Sequence, residues 1–397
     1  MKCGVVMFDL PEHLFGKRDV VSLESCWSAV AGEPARRLKS IHELRTDVVW
    51  LTNINSDVFR SLGLFKLPNL RTETWLRTRF TQIQQELGLD ESCVTPNIVV
   101  ETMSLIVQRV IDYAEKHYAV TPRSDSFNAD FARVFNAPVS KLPDRFYSLF
   151  TPIVQHSLVF VVNSTQRAST SSYLTVKPNR LRHAREILST PVPSDAGWEL
   201  ATKIPSIKID QWLEGLKTPF LIKMSFKNIN PDLAELLSWG AGSNVSREWM
   251  TDVEWKVIRE FADIEVKEVL ICPHEAKILN ELNILPSGNF DELSYSCGLI
   301  AELMWTSFTT KVTKQQINNN KNYTAASAWL RAADRMIMFK HAQRLYSDNC
   351  NIGMYGAGMI SMNYPEGALR HYLLSSTENG LMPPSSKFQE LKRTLER

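Results

Sequence analysis

The first part of the chain alternates between apolar runs and helical patterns. Cys3–Phe8 and Asp47–Thr52 are mostly apolar runs that predict buried strands. Val20–Val30 and Ser56–Leu62 carry apolar residues at helical spacing. Strands and helices in alternation predict an α/β beginning.

Two long helices are predicted next, over Thr72–Leu87 and Pro96–Tyr118. The second has Thr95 at the N-cap position, and Pro96 follows at the first helical position, where a missing N–H costs nothing. Its apolar residues recur at the spacing of one helix face, at Val99, Met103, Ile106, Val110 and Tyr113.

Strand and helix patterns remain mixed in the rest of the chain. Strands are predicted at Ser172–Val176, Phe220–Phe226 and Glu265–Cys272. Helices are predicted at Ala129–Phe135, Pro231–Trp239, Arg247–Phe261 and Phe290–Thr309, and from Tyr323 onward. The expected fold class is α/β to α+β, helix-rich and multidomain, with an N-terminal mixed α/β part and a C-terminal mostly helical part.

Two segments resemble linkers and suggest domain boundaries. Ser189–Gly197 holds two prolines and a glycine among small polar residues, and Lys311–Asn322 is almost wholly polar. A chain of 397 residues is expected to hold more than one domain. We predict an N-terminal α/β domain with long helices over 1–190, and an α+β middle domain over 191–312. The remainder, 313–397, is predicted to hold a basic strap, an amphipathic helix and a tail.

Composition indicates a folded, reduced protein. Hydrophobic residues make up 44% of the chain, and the formal net charge is only +2, so attraction to a polyanion must come from local clusters. The six cysteines are scattered without CxxC spacing, which predicts free thiols and neither a metal site nor a cofactor. No export signal is apparent, and the most apolar helix pattern contains charged residues. We expect a soluble cytoplasmic protein without membrane contact.

The strongest local charge lies between Lys311 and Arg344, where seven basic residues face one acid, Asp334. A wheel drawn from Tyr323 places Trp329 on the apolar face and Arg331 and Arg335 opposite, which predicts an amphipathic helix. Lysine and arginine neutralise phosphates, so the candidate nucleic-acid-binding residues here are Lys311, Lys314, Lys321, Arg331, Arg335, Lys340 and Arg344. Exposed Phe339 and His341 beside them would suit a surface that also contacts bases.

A second basic cluster lies where the strand at Ser172–Val176 leads into a helix. Arginines at such a turn can bind a phosphate together with the free amide groups of the helix. The candidates are Lys177, Arg180, Arg182 and Arg185. A third group, Arg36, Arg37, Lys39 and Arg45, is interpreted as a solvated surface. A continuous binding surface requires the fold to bring these clusters together.

No catalytic motif stands out. Asp9 follows the first predicted strand, where metal-dependent nucleases often hold a carboxylate, but its further ligands would have to come from Asp47, Glu101 and Asp112. The glycines of Gly353–Gly358 lack the order and the lysine of a phosphate loop, and predict a flexible loop or a tight hairpin.

The expected function is therefore a non-catalytic nucleic-acid-contacting component of a larger macromolecular assembly, with protein partners in that complex. RNA and DNA are both open. One alternative is a metal-dependent nuclease or nucleotidyl-transfer enzyme that uses Asp9. Another is a pure protein-interaction scaffold, in which the basic clusters are incidental.

Overall fold

A computed structural model describes residues 1–8, 26–73, 95–122, 172–193, 197–230, 248–278 and 325–395, together with residues 76, 130, 153, 236, 299 and 302. The chain divides into two compact units. Unit 1 comprises Met1–Phe135 and Leu285–Thr310, and unit 2 comprises Asn136–Ile284 and Lys311–Arg397. The predicted boundary at 190/191 falls inside unit 2, and the three-part division stays a prediction.

Unit 1 contains a five-stranded mixed sheet in the order β3-β2-β1-β4-β5. Its strands are β1 (Cys3–Phe8), β2 (Cys26–Val30), β3 (Arg36–Arg37), β4 (Val49–Thr52) and β5 (Leu70–Thr72). The central strand β1 is parallel to β4 and antiparallel to β2. Every residue of β1 is buried, as expected of a strand covered on both faces.

Two α-helices accompany this sheet in the described part of unit 1, α1 (Ser56–Ser61) and α2 (Pro96–Tyr118). The bounds predicted for α2 are confirmed, because Thr95 has extended dihedrals and Ala119 ends the helix in the left-handed conformation. Its buried face includes Val99, Met103, Ile106 and Val110, as the spacing predicted.

Unit 2 contains two four-stranded sheets in its described part. One has the order β7-β10-β8-β9, with β7 (Glu199–Leu200), β8 (Phe220–Ile229), β9 (Trp249–Thr251) and β10 (Ala262–Ile271). The other has the order β11-β12-β6-β13, with β6 (Ser172–Pro178), β11 (Asn351–Gly356), β12 (Met359–Tyr364) and β13 (Leu381–Met382). Both sheets are antiparallel throughout.

Six α-helices belong to the described part of unit 2. They are α3 (Arg180–Leu188), α4 (Ile209–Gly215), α5 (Asp252–Ile258), α6 (Ala325–Ser347), α7 (Leu369–Glu378) and α8 (Ser385–Leu395). A hydrophobic core joins residues of both sheets with α6, among them Phe220, Trp255 and Phe339.

The long helix α6 is not amphipathic, contrary to the expectation from the sequence. It contacts α3, α5, β9, β11 and β12, and 15 of its 23 residues are buried. Buried positions follow one another without a polar face from Ala325 to Leu330, because neighbours surround this part of the helix. Its exposed polar residues lie toward the C-terminal end.

The prediction of a mixed α/β to α+β fold is confirmed, with local corrections. Cys26–Val30 is a strand where a helix was predicted. Arg247–Phe261 was predicted as one helix, but β9 precedes α5 there, and Thr251 ends the strand and caps the helix. Gly353–Gly358 lies in the β11–β12 hairpin, so the C-terminal part holds strands as well as helices.

Several predicted helices lie outside the described residues, wholly or for most of their length: Thr72–Leu87, Ala129–Phe135, Pro231–Trp239 and Phe290–Thr309. Among the helices that the structure describes, none is long and apolar enough to cross a membrane.

Candidate nucleic-acid interface

Helix α3 carries the second basic cluster, and its start is set by a capping residue. The side-chain oxygen of Asn179 accepts a hydrogen bond from the backbone N–H of Arg182, 3.1 Å away. Leu181, Ala184 and Ile187 form the buried face. Arg182 is therefore exposed on the opposite side, while Lys177, Arg180 and Arg185 are half-buried.

The C-terminal half of α6 carries two of the predicted cations at its surface. Lys340 and Arg344 are exposed and lie one helical turn apart, and His341 beside them is half-buried. Arg331, nearer the start of the helix, is half-buried. The exposed end of α6 thus presents a row of positive charge.

Helices α3 and α6 are joined by a buried pair, His183 and Asp334. His183 Nε2 lies 2.9 Å from Asp334 Oδ1, and the two residues are 5% and 0% exposed. An ionised carboxylate can only accept, so His183 donates through Nε2. This pair fixes α3 beside α6, although the two helices are separated by more than 130 residues in the chain.

Asp334 also holds the turn of the β11–β12 hairpin. Its carboxylate accepts hydrogen bonds from the backbone N–H groups of Ala357, at 2.7 Å, and Gly358, at 3.0 Å. Burial acts to raise the pKa of Asp334, but His183, Arg331 and the Gly358 amide outweigh it, so the pKa lies below its usual value. Asp334 is therefore a buried anion with a full set of donors.

The charge around His341 shows that the two basic clusters meet. Burial lowers the pKa of His341, and Arg344, His183 and Arg182 lower it further, against the opposing effect of Glu186. Arg182 and Glu186 belong to α3, whereas Arg344 belongs to α6. The seam between these helices therefore has a positive potential at His341.

We give the name α3–α6 patch to four exposed or half-buried cations of these two helices: Arg182, Arg185, Lys340 and Arg344. Within the described part of the chain, no carboxylate lies within ion-pair distance of any of the four. Two acids belong to the same helices: Glu186, whose charge acts on His341, and the buried Asp334, which is bound to His183.

Two nitrogen atoms of the seam lack partners. Arg185 Nη2 and His341 Nδ1 are shielded from water and make no hydrogen bond with the described residues. An unsatisfied buried polar atom costs about 1–3 kcal/mol. A ligand that supplies oxygen atoms here would recover part of that cost, provided it can reach the two nitrogens.

Arg335 must be removed from the set of candidate binding residues. Its side chain is 4% exposed and forms an ion pair with Glu254, whose Oε1 lies 2.6 Å from Nη2. Nη1 donates to the carbonyl of Ile153 at 2.7 Å. Glu254 in turn belongs to the capping box of α5. A residue that the sequence placed on the polar face is therefore part of the core.

Both aromatic side chains of α6 discussed for the interface are in the core. Phe339, which was placed beside the binding cations, is 0% exposed. Trp329 is 1% exposed, as its place on the apolar face predicted, and its indole N–H donates to Asp252 Oδ1 at 2.7 Å. Neither ring can stack on a base, so the α3–α6 patch offers charge without an aromatic platform from α6.

The remaining predicted binding residues form two groups, one outside the described residues and one within them. Lys311, Lys314 and Lys321 lie outside the described residues. Lys177 and Arg180 lie at the end of β6 and the start of α3, close along the chain to Arg182, and Arg331 contributes to the field at Asp334. The sequence analysis did not identify the His183–Asp334 pair. The one sign of it in the sequence was Asp334 itself, a single acid in a basic segment.

The three carboxylates considered together with Asp9 lie near the start of β1, and its other end is Phe8. Asp9 itself is outside the described residues. Glu101 and Asp112 are tied to the end where β1 starts: Glu101 accepts from the Ala35 N–H, and Asp112 accepts from Gln108, which binds the Cys3 N–H.

Asp47 belongs to that same end, because it precedes β4, whose Val49 pairs with Cys3. It is paired with Arg45. Among the residues that the structure describes, no group of three histidine, cysteine or acidic side chains could hold a metal ion. The metal site at Asp9 stays a prediction.

Comparison with known proteins finds similarity at the level of the fold only. No protein-family model matches the chain, and no curated protein does. Solved structures of Phi29 DNA polymerase resemble it over most of its length, and three of them illustrate the similarity.

The structure complexed with primer-template DNA has a TM-score of 0.47 at 10% identity, covering 91% of this chain and 80% of that chain. The complex with single-stranded DNA has a TM-score of 0.46 at 10% identity, with 92% and 80% covered. The orthorhombic crystal form has a TM-score of 0.47 at 9% identity, with 92% and 81% covered. Similarity this distant leaves function to be argued from the site.

Proposed function

We propose that the chain is a non-catalytic component of a larger assembly and that it contacts nucleic acid through the α3–α6 patch. The observation that carries this proposal is the meeting of two basic clusters, distant in sequence, along one helix seam. Arg182 of one cluster and Arg344 of the other both act on His341, whereas the whole chain is close to neutral. A local excess of positive charge of this kind attracts phosphates.

The spacing of the cations suits a phosphate backbone. Lys340 and Arg344 are one turn apart, which is about 6 Å along a helix axis at about 1.5 Å per residue. Arg182 and Arg185 form a second row on α3, and packed helix axes lie about 8–10 Å apart. The patch therefore offers several cations within reach of one strand, and Arg185 Nη2 offers a donor without a partner among the described residues.

Contact through the backbone implies weak dependence on base sequence. Phosphate contacts position a nucleic acid but do not read its bases. Because Trp329 and Phe339 are buried, α6 supplies no stacking surface that would favour particular bases. We therefore propose binding to RNA and DNA alike, with affinity that falls as salt concentration rises.

Protein partners are part of the same proposal. Three large apolar side chains on the last two helices are well exposed: Leu374 at 51%, Phe388 at 44% and Leu395 at 68%. Contacts with other proteins in an assembly would remove such side chains from water.

The deciding experiment is a double substitution in the patch, Lys340→Ala with Arg344→Ala. Binding of fluorescent single-stranded RNA and DNA is measured by anisotropy from low to moderate salt. Loss of two phosphate contacts should weaken binding of all sequences and flatten the plot of log K against log salt by about 1.4 units for single strands.

The matched control is Arg36→Ala with Arg45→Ala in unit 1. It removes the same charge from a surface where Glu33 and Asp47 already neutralise it. The control should bind like the unmodified protein. An unchanged slope in the patch variant, or equal losses in both variants, would contradict the proposal.

A further inference from the structure

Asp334 lies at the point where three elements meet. It belongs to α6, and it accepts hydrogen bonds from His183 on α3 and from two successive backbone amides of the β11–β12 turn. No other residue of the α3–α6 seam has such a set of partners in the described part of the chain. Its removal would therefore release α3 and the turn from α6 together.

The turn itself is held in an unfavourable conformation. Gly356 pairs with Met359, so Ala357 and Gly358 form a two-residue loop, and their φ values are 47° and 67°. Positive φ at both positions is typical of a type I′ turn, which favours asparagine or glycine over alanine. Two charge-assisted hydrogen bonds from the turn to Asp334 offset the strain at Ala357.

The turn also packs against His183. A side chain added at Gly358 would come within 3.4 Å of the His183 ring, and the φ value of 67° is itself one that glycine tolerates best. His183 is thus enclosed between α6 and the hairpin. Its ring orientation, and with it the position of Arg182 and Arg185 on the same short helix, depends on the acceptor that Asp334 provides.

We propose that Asp334 is the positioning residue of the α3–α6 patch: it holds α3 against α6 so that the two rows of cations form one surface. This inference rests on the proposed function for its consequence in binding. Its structural content, the placement of α3 beside His341, can be tested without any ligand.

The direction of the change in affinity distinguishes a positioning role of Asp334 from a purely electrostatic one. Asp334→Asn removes a negative charge beside a basic surface, so electrostatics alone predicts tighter binding of a polyanion. Positioning predicts the reverse, because the asparagine amide cannot accept from all three donors and α3 would move away. We expect weaker binding of single-stranded RNA, and a salt slope flatter by about 1.4 units from the two α3 arginines.

The ligand-free measurement is the pKa of His341, followed by NMR. If α3 leaves the seam, His341 loses the effects of Arg182 and His183 and part of its burial, so its pKa should rise toward its ordinary value in Asp334→Asn. Loss of a negative charge alone would lower it. Arg344, on α6, is unchanged in this variant. Glu186 moves away with α3, and its loss opposes the rise that the lost burial, the largest of the effects on this pKa, is expected to cause.

A second pair of variants keeps the proposal testable if Asp334→Asn fails to fold. His183→Ala removes the donor to Asp334 and should reproduce the weaker binding and the flatter salt slope. His183→Gln supplies a neutral side-chain N–H and should restore binding. Binding is the measurement for this pair, because His183 itself lowers the pKa of His341. The control on the same helix is Trp329→Phe, which removes a buried hydrogen bond to Asp252 and should change neither measurement.

The outcomes are distinct. If the folded Asp334→Asn variant binds as tightly as the unmodified protein and leaves the His341 pKa unchanged or lowered, or if the folded His183→Ala variant binds as tightly as the unmodified protein, the positioning role is overturned. If the unmodified protein shows no salt-dependent binding, the proposed function is lost, and the His341 titration alone then decides whether Asp334 positions α3.

Discussion

Two basic surfaces of similar composition differ in what their charges do. In unit 1, Glu33 lies within ion-pair distance of Lys2, Arg36 and Arg45, and Arg45 also pairs with Asp47. The hydrogen bond from Lys2 lowers the pKa of Glu33, so this acid stays ionised. In the α3–α6 patch of unit 2, none of the four cations lies within ion-pair distance of a carboxylate in the described part of the chain.

The contrast shows why a cluster of basic letters does not identify a binding surface. The two clusters look alike in the sequence. Glu33 is close along the chain to Arg36, but Lys2 and Arg45 come within reach of it only in the fold. What matters is the charge that remains after pairing. By that measure the patch, and not the surface around Glu33, is available to a polyanion.

The largest expected effect is a loss of stability on replacing a cation that is both buried and paired. Arg335→Met should lower the free energy of unfolding by about 3–5 kcal/mol, because it leaves the buried carboxylate of Glu254 without its partner. Urea denaturation measures this loss. Binding by the folded fraction should keep its salt dependence, since Arg335 is not at the surface. A loss below about 1 kcal/mol would show that Glu254 finds another partner or becomes protonated.

An intermediate effect should follow from removing the neutralising acid in unit 1. Glu33→Gln frees Lys2 and Arg45 from their shared carboxylate, so that surface should acquire weak, salt-sensitive binding of single-stranded RNA. The measurement is best made in the Lys340→Ala, Arg344→Ala background, where the patch is weakened. Binding that does not increase there would mean that pairing by Glu33 is not what distinguishes the two surfaces.

The smallest effect is expected for Glu186→Gln in the patch. Loss of this acid removes the opposing charge at the seam and should tighten binding slightly at low salt, with a change that fades as salt screens it. Anisotropy titrations at two ionic strengths would detect it. Weaker binding in this variant would indicate that Glu186 holds α3 in place, and does not only reduce the positive charge of the patch.

The sequence alone determined the elements whose signals are local. The apolar run of β1, the first-turn proline and apolar spacing of α2, and the runs that become β8 and β10 were all recognisable, because strand and helix periods are written in neighbouring residues. The mixed fold class followed from their succession.

Only the tertiary structure decided which charges are available. Arg335 and Arg344 look alike in the sequence of α6, yet one is enclosed with Glu254 and the other is exposed. The helical wheel failed for Arg335 because it assumes one buried face, whereas α6 is surrounded along its first half. The joining of α3 to α6 through His183 and Asp334 depends on a contact 151 residues apart in the chain, which no local pattern records.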